Sequence, residues 1–586
     1  MNSGLIDRVS LRDCLRGTGF SRYFHTIRHL RPRQIASRLF KQFNTRFPRR
    51  VILSNIEINP VIGVIAPWIG KRAGHPGEFI FLNLRRKYTN SRSVDWRSSE
   101  MPKLWRYNLH YFDFLQDEGR SLEDRGGLIE DWIVHNPAGT MDAWEPFPVS
   151  LRVVNWIKFF LHPHNRGQLP ANWLESLYRQ TLWLEKNKEY HLLGNHLFKN
   201  TKALLFAGLF FQGKDALRWR HQALKLLKWQ IAEQILADGG HFERSPMYHA
   251  MILEDCLDLL NIGGRKEDKA SKTIWAVLLP VVQRMAAFLK GMTLPDGEIA
   301  LFNDAAFGIE PPPKELFTYC ERLTSKPIGD PDGAVWAFPE TGYYVMAPRP
   351  GDRLIIDCGP VGPDYQPGHA HCDTLSFELT LGGRRVIVDS GCFQYEDGPI
   401  RRYNRGNAGH NTVTIDGANQ SEVWGAHRCA RRAKPRHAAI AAQTDGAIYF
   451  QGAHDGYKRL KGAPIHHRYV SWAGDRLLIA DRIAGTGTHD LESRLHIHPD
   501  LKIEHTEHTL RIVDGHQPIM LVWTDGPGQV TVEKGWYCPQ FNVKHPCSVL
   551  RLKLSGVPLP VCIGWVMHMA SSGHRSRSPM AAIQEL

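Results

Sequence analysis

The chain has 586 residues and a mass of 66.8 kDa; 42% of its residues are apolar, 23% charged and 10% aromatic, a globular composition that excludes a mostly disordered or fibrous protein. At roughly 100–200 residues per domain, two to four units are expected. Seventy-three Lys and Arg against 59 Asp and Glu give a net charge of +14, and 29 His add positive charge as pH falls, so an anionic partner is expected: nucleic acid, an anionic membrane surface or an acidic polymer.

Residues 1–50 hold twelve Lys and Arg and two acids. They contain no continuous apolar stretch of the ~7–15 residues that a secretory leader needs. The segment HTIRHLRPRQIASRLFKQF reads as a short basic helix after Pro32. A solvated helix packed on the next domain is its plainer reading, and a nucleic-acid or membrane contact the sharper one. Residues 51–95 are short-patterned, with Pro60, Pro67 and Pro76.

From 104 to about 325 the pattern turns helical. SLRVVNWIKFFLH, NWLESLYRQTLWLEKN, HLFKNTKALLFAGLFF and four further segments carry apolar residues at i, i+3, i+4 and i+7, separated by Gly, Pro or Asn clusters. Seven or more such helices in series predict antiparallel hairpins that can close into an α/α toroid. No run reaches the ~18–20 apolar residues of a membrane span; Ile274 to Val282 is short and holds Pro280. After Pro311-Pro312-Pro313 the texture changes to short alternating runs such as RLIIDCG, TLSFELTL and RRVIVDSG, which predict an antiparallel sandwich. The ten cysteines are scattered without a Cys-x-x-Cys, so buried thiols are expected rather than disulfides or a zinc ribbon.

Three polar clusters interrupt these patterns. In PGHAHCDTLSFELTLGGRRVIVDSG, His369 and His371 share one face if the segment is extended; Asp373, Asp389 and His410 lie near, a donor set suited to a borderline metal. Hydrogen bonding at strand ends is the plainer reading. In the helical half, Asn195 stands where an N-cap would, followed by His196. Fifty residues on, Asp238 to His249 reads as a turn, a helix start at Pro246 and Tyr248 in the first turn. Finally, Trp144 with Arg152 and Asn155 suits sugar stacking and carboxylate contact, or a junction packed by its Trp.

Gly-His-Ala-His-x-Asp-x-x-Ser-Phe-Glu-Leu, then Asp-Ser-Gly, then Tyr-x-Arg-x-x-x-x-His-Asn-Thr-Val-x-Ile-Asp-Gly resembles the C-terminal domain of the heparinase II/III-like polysaccharide lyases. The upstream Asn-His and Ser-Pro-x-Tyr-His pieces resemble that family's toroid half. The resemblance implies an α+β multidomain chain, an N-terminal incomplete α/α toroid followed by a C-terminal antiparallel β-sandwich. The expected divisions are a basic extension and lead-in at 1–95, the toroid at 96–325, a linker at 326–340, the sandwich at 341–575 and a tail at 576–586.

The same resemblance implies β-elimination on a uronic-acid-containing polysaccharide. Asn195 and His196 would neutralise the uronate carboxylate, and Tyr248 and His369 would act as acid and base. For Tyr248 to be a base its pKa must fall, with Arg244 and His249 as the expected cations. Glu243 and Arg405, within the same motifs, join Trp144, Arg152 and Asn155 as expected substrate contacts. His371, Asp389 and His410 match the family's structural metal position, with zinc foremost and calcium as the alternative, and with His427 as the alternative third ligand. Two other readings are carried: a glycoside hydrolase on a similar toroid, and a non-catalytic glycan-binding or exopolysaccharide-pathway protein. The expected partner is an acidic polysaccharide, with no nucleic acid and no transmembrane segment. The family suggests the cell envelope, while the missing leader leaves the cytoplasm open.

Overall fold

The computed structural model describes residues 17–43 and 56–570, except 61, 71–74, 92, 166–168, 265–267, 330, 507–508 and 525–527. The expected tail at 576–586 lies outside the described residues. Twelve α-helices occur among the described residues. α1 (Gly17–Ile27) and α2 (Pro32–Phe43) form the basic N-terminal pair, with Phe20, Phe24, Ile27, Ile35 and Leu39 exposed. A two-stranded hairpin, Glu78–Phe81 with Leu84–Lys87, precedes the toroid.

The toroid helices are α3 (Lys103–Tyr111), α4 (Leu122–His135), α5 (Pro146–Phe160), α6 (Ala171–Lys186), α7 (Gly194–Phe210), α8 (Gly213–Gln234), α9 (Pro246–Gly263), α10 (Lys269–Met292) and α11 (Pro313–Thr324). Their starts follow local rules. Pro146 and Pro246 sit in first turns, where the missing N–H costs nothing, and Ser121, Ser245 and Asp268 accept backbone N–H groups as caps. Neighbours in sequence are neighbours in space: α7 packs on α8, and α9 on α10. Their apolar stripes meet in one aromatic-rich core around Trp105, Trp132, Trp156 and Trp219. Only α10 among the described helices is long and apolar enough to cross a bilayer; here it packs between α9 and α11.

The second half is two antiparallel sheets face to face. One has eight strands, running from Pro435–Ala442 at one edge to Lys502–His505 at the other; the second has nine and carries Phe377–Leu381 and Thr488–Ile497 at its centre. Strand Ile465–Ala473 alternates buried and half-exposed residues, the pattern of a one-sided sheet. Side chains such as Phe377, Leu495, Trp472 and Trp565 fill the space between the sheets. The nine-stranded sheet begins with Val335–Phe338, inside the stretch expected as linker. All nine described cysteines are unpaired thiols, eight of them buried. The halves are stitched together by buried polar contacts. Arg385 bridges Asp296 and Glu378 (2.6 and 3.0 Å), and Asp238 accepts from the Thr341 N–H at 2.7 Å.

Candidate active site

The polar clusters converge where the start of α9 and the 301–304 segment meet the sandwich loops. His369 and His371 lie in the irregular stretch between strands Arg353–Asp357 and Phe377–Leu381, not on a strand. What unites them is Asp304, a fully buried carboxylate. Its Oδ2 is 2.9 Å from His369 Nδ1 and its Oδ1 is 2.8 Å from His371 Nε2. Arg401, also fully buried, forks onto both oxygens, with Nη2 to Oδ2 at 2.8 Å. Burial opposes the charge, yet the Arg401 guanidinium and the two imidazoles hold Asp304 well below the usual carboxylate range. An ionised Asp304 only accepts, so each imidazole puts its N–H on that side. His369 therefore turns the Nε2 lone pair away from Asp304, and His371 is left with its Nδ1 lone pair.

Tyr248 lies against the His369 ring at 4.0 Å between centroids, and its hydroxyl is 2.9 Å from that of Tyr395. The cations expected to acidify it are engaged elsewhere. Arg244 donates to the carbonyls of Phe242, Glu340 and Thr341. His249 Nε2 faces the Met285 carbonyl, and burial lowers its pKa to about 4, so it is neutral. Burial pushes the Tyr248 phenol well above 10, opposed only by its hydrogen bond with Tyr395. Tyr248 is thus a protonated group at rest, and the condition for its acting as a base, a lowered pKa, is not met.

Asn195 does not cap α7. Its Nδ2 donates to both oxygens of Glu243, at 3.1 and 3.4 Å, and Glu243 Oε2 lies 3.7 Å from His369 Nε2. The turn that delivers Asn195 passes through Gly194 at φ +53°, the left-handed region that favours glycine, and a Cβ there would displace the end of the Gln366 side chain. His196 is half-exposed, 3.2 Å from Glu189 and packed on Phe147. So Asn195, Glu243, His369 and Tyr248 form one continuous group, with His196 beside it.

Four expected substrate contacts are internal instead. Arg152 is fully buried and donates to Gln180, the His110 carbonyl and the Ala143 carbonyl, with its guanidinium over Trp132 at 4.0 Å. Trp144 is buried, donating to the Asn136 carbonyl and packed on Trp132 and Trp183. Asn155 holds the Tyr111 carbonyl and Asp113. Arg405 serves the carbonyls of Ala370, Gly425 and Arg428. Each satisfies backbone that would otherwise be buried unpaired; Asn155 also lines a small cavity with Lys158, Lys199 and Lys202.

The donor group that the fold assembles differs from the expected metal set in one member. Donor atoms of His371, Asp373 and His410 lie within 4.8 Å of one another, all buried. His371 Nδ1 and His410 Nε2 are buried nitrogens without a hydrogen-bond partner. Asp389 sits behind, 2.7 Å from His410 Nδ1. Both imidazoles thus lean on a carboxylate and keep a second ring nitrogen unpartnered near Asp373, an arrangement suited to ligating zinc. His427 belongs to another group, with Asp304 and His369, and its Nδ1 is 3.2 Å from the Gly368 carbonyl. That second group suits no cation, because Arg401 already occupies both oxygens of Asp304.

Asp304, Arg401 and Tyr395 went unread in the sequence, and Asp373 was read only as a neighbour of the expected metal donors. One signal was present for Asp304: Asn303-Asp304 directly follows the apolar Ile299-Ala300-Leu301-Phe302, and an acid entering a core must find partners.

Comparison with known proteins follows the same division. Residues 73–310 match the heparinase II/III N-terminus and residues 330–571 the heparinase II/III-like C-terminal domain. A heparin-sulfate lyase of Pedobacter heparinus is 27% identical over 319 residues, 49% of this chain and 47% of that protein. FtsZ-localized protein C of Caulobacter vibrioides is 25% identical over 347 residues, 53% of this chain and 56% of that protein. The chain thus spans about half the length of these curated relatives. A crystal structure of heparinase III superposes with a TM-score of 0.67 over 96% of this chain and 92% of that one, at 17% identity, which shows a shared toroid-plus-sandwich fold. Both family domains in order, covering all but the N-terminal segment, a short join and the tail, establish that the chain belongs to the heparinase II/III-like family.

Proposed function

We propose that this chain is a polysaccharide lyase that cleaves a uronic-acid-containing polymer by β-elimination. The observation that carries the reading is the Asp304–His369 pair with a protonated Tyr248 packed against its imidazole. His369 Nε2 takes the proton from C5 of the uronate. The C–H electron pair becomes the C4=C5 double bond as the C4–O4 bond breaks, and Tyr248 gives its proton to the departing O4. The adjacent rings then exchange a proton, which restores both groups. One amide hydrogen of Asn195 is spent on Glu243; the other, with His196, faces the uronate carboxylate, where charge builds as C5 loses its proton. The heparin-sulfate lyases among its relatives support a glycosaminoglycan-like substrate.

The donor set also supports a structural zinc held by His371, Asp373 and His410, with Asp304 and Asp389 orienting the imidazoles. Such an ion would tie the His369 loop to the sandwich, without taking part in proton transfer.

A hydrolase needs two carboxylates free to flank the bond. Asp304 is consumed by Arg401 and two imidazoles, which leaves Glu243 without an opposing acid in this group. One observation favours a non-catalytic role: a relative of similar identity is named for localisation to FtsZ. Incubation with heparan sulfate, hyaluronan, alginate and polyglucuronate, followed by ultraviolet absorbance of the unsaturated end, separates these readings. Saturated reducing ends would replace the lyase by the hydrolase. Binding without product, indifferent to Tyr248→Phe, would favour the non-catalytic role.

A further inference from the structure

Residues 17–43 lie outside both family-matched segments, and they carry six Lys and Arg and no acid. The α1–α2 pair is anchored to both halves. On the toroid side, Arg31 pairs with Glu233, Arg33 stacks on Tyr190 at 4.0 Å and Trp229 at 4.9 Å, and buried Gln34 donates to the Leu192 carbonyl at 3.4 Å. On the sandwich side, Gln34 reaches the Tyr365 carbonyl, Arg31 covers the Tyr365 ring at 3.8 Å, and Trp424 donates to Thr26 at 3.2 Å.

Beneath this bridge is a cavity of about 180 Å³, room for several waters. Thr26, Leu30, Gln34 and Arg38 line it from α1 and α2, together with His196, His369 and His427; its one carboxylate, Asp364, is paired with Arg432 at 2.6 Å. Arg38 is half-buried and gives one N–H to the His191 carbonyl at 3.3 Å. It has no acidic partner among the described residues. A cation drawn partly out of water without a counter-ion is a site for an anion, and a guanidinium matches a carboxylate or sulfate bidentately.

We propose that α1 and α2 close one end of the cleft and that Arg38 reads the anionic group of a terminal sugar, so that the chain works from the end of an acidic polysaccharide. The reaction rests on the lyase reading above; the binding subsite does not. Cleavage from an end releases the smallest unsaturated products from the first minutes while the mean polymer length falls slowly. Size-exclusion chromatography of a time course tests this on any polymer that is cut. Arg38→Ala should raise KM about tenfold or more with a smaller change in kcat, and Arg38→Lys should recover part of it. The Arg31→Ala/Arg33→Ala double variant frees α2 from the toroid and should shift the products toward longer fragments. Intermediate-size fragments as the first products of the unaltered chain would overturn the proposal. If no polymer is cut, the lyase reading fails and binding decides the subsite. Tetrasaccharides of heparan sulfate, hyaluronan and polyglucuronate, labelled at the reducing end, are titrated into the unaltered and Arg38→Ala chains. A tenfold or greater loss with Arg38→Ala upholds the subsite, and affinity within twofold, or no binding at all, overturns it.

Discussion

Replacing Asp304 with Asn removes one negative charge and keeps the side chain's shape. The consequence for stability follows from Arg401, which is fully buried and whose carboxylate partner is Asp304. Leaving a buried cation without its counter-charge costs about 3–5 kcal/mol, a large share of the ~5–15 kcal/mol of a typical domain, and lowers the melting temperature by on the order of 10 °C. Because Asp304 is held below its unfolded pKa of ~3.9, this contribution is complete above about pH 4 and fades as pH falls through the folded value. The consequence for rate is separate. Asn offers one acceptor and one donor group where three cationic or N–H partners need acceptors, so an imidazole turns its other tautomer to the site. A loss in kcat of about 10³–10⁴ is expected, the scale of the same substitution in a protease triad. The assay pairs thermal unfolding with initial rates of unsaturated-uronate formation, in Asp304→Asn and in Asp304→Asn/Arg401→Met. The second variant removes the stranded cation, so it should regain stability and no activity. Asp304→Asn within about 1 kcal/mol of the unaltered chain, or recovery of rate by Arg401→Met, would refute the reasoning.

The remaining predictions address the other groups. Tyr248→Phe should lower kcat about 10²–10⁴-fold and change stability by only about 1 kcal/mol, the scale of its one hydrogen bond to Tyr395. Because burial raises the phenol well above 10, the pH–rate profile should show no Tyr248-dependent fall below about pH 10; a fall near pH 8–9 that vanishes in a Tyr248 variant would contradict this. Trp144→Ala and Arg152→Ala should each destabilise by about 3–5 kcal/mol in denaturant titrations while KM of the folded fraction stays unchanged, since both side chains are internal. Elemental analysis should find about one zinc per chain, lost in His371→Ala and His410→Ala. Asp389→Asn should weaken the metal about 10–100-fold rather than abolish it, which separates its place behind His410 from that of a ligand.

Much of this was readable from local order. Helix periodicity from 104 to 325, strand alternation after 335 and the Ser245-Pro246 start of α9 depend on near neighbours, and Tyr248, Asn195 and His369 stand in short motifs whose spacing survives in one dimension. The chemistry of the residue types was legible too; their surroundings were not. Trp144, Arg152 and Arg405 have the same composition whether they meet a sugar or a buried carbonyl, and only the fold shows that backbone groups consume them. Asp304 is 65 residues from His369 and 97 from Arg401, and no local pattern joins them. Tertiary packing made that junction, because a carboxylate enters a core only where guanidinium and imidazole groups arrive to meet it. The same burial that assembles these partners keeps Tyr248 protonated, a state that its neighbours in sequence left open.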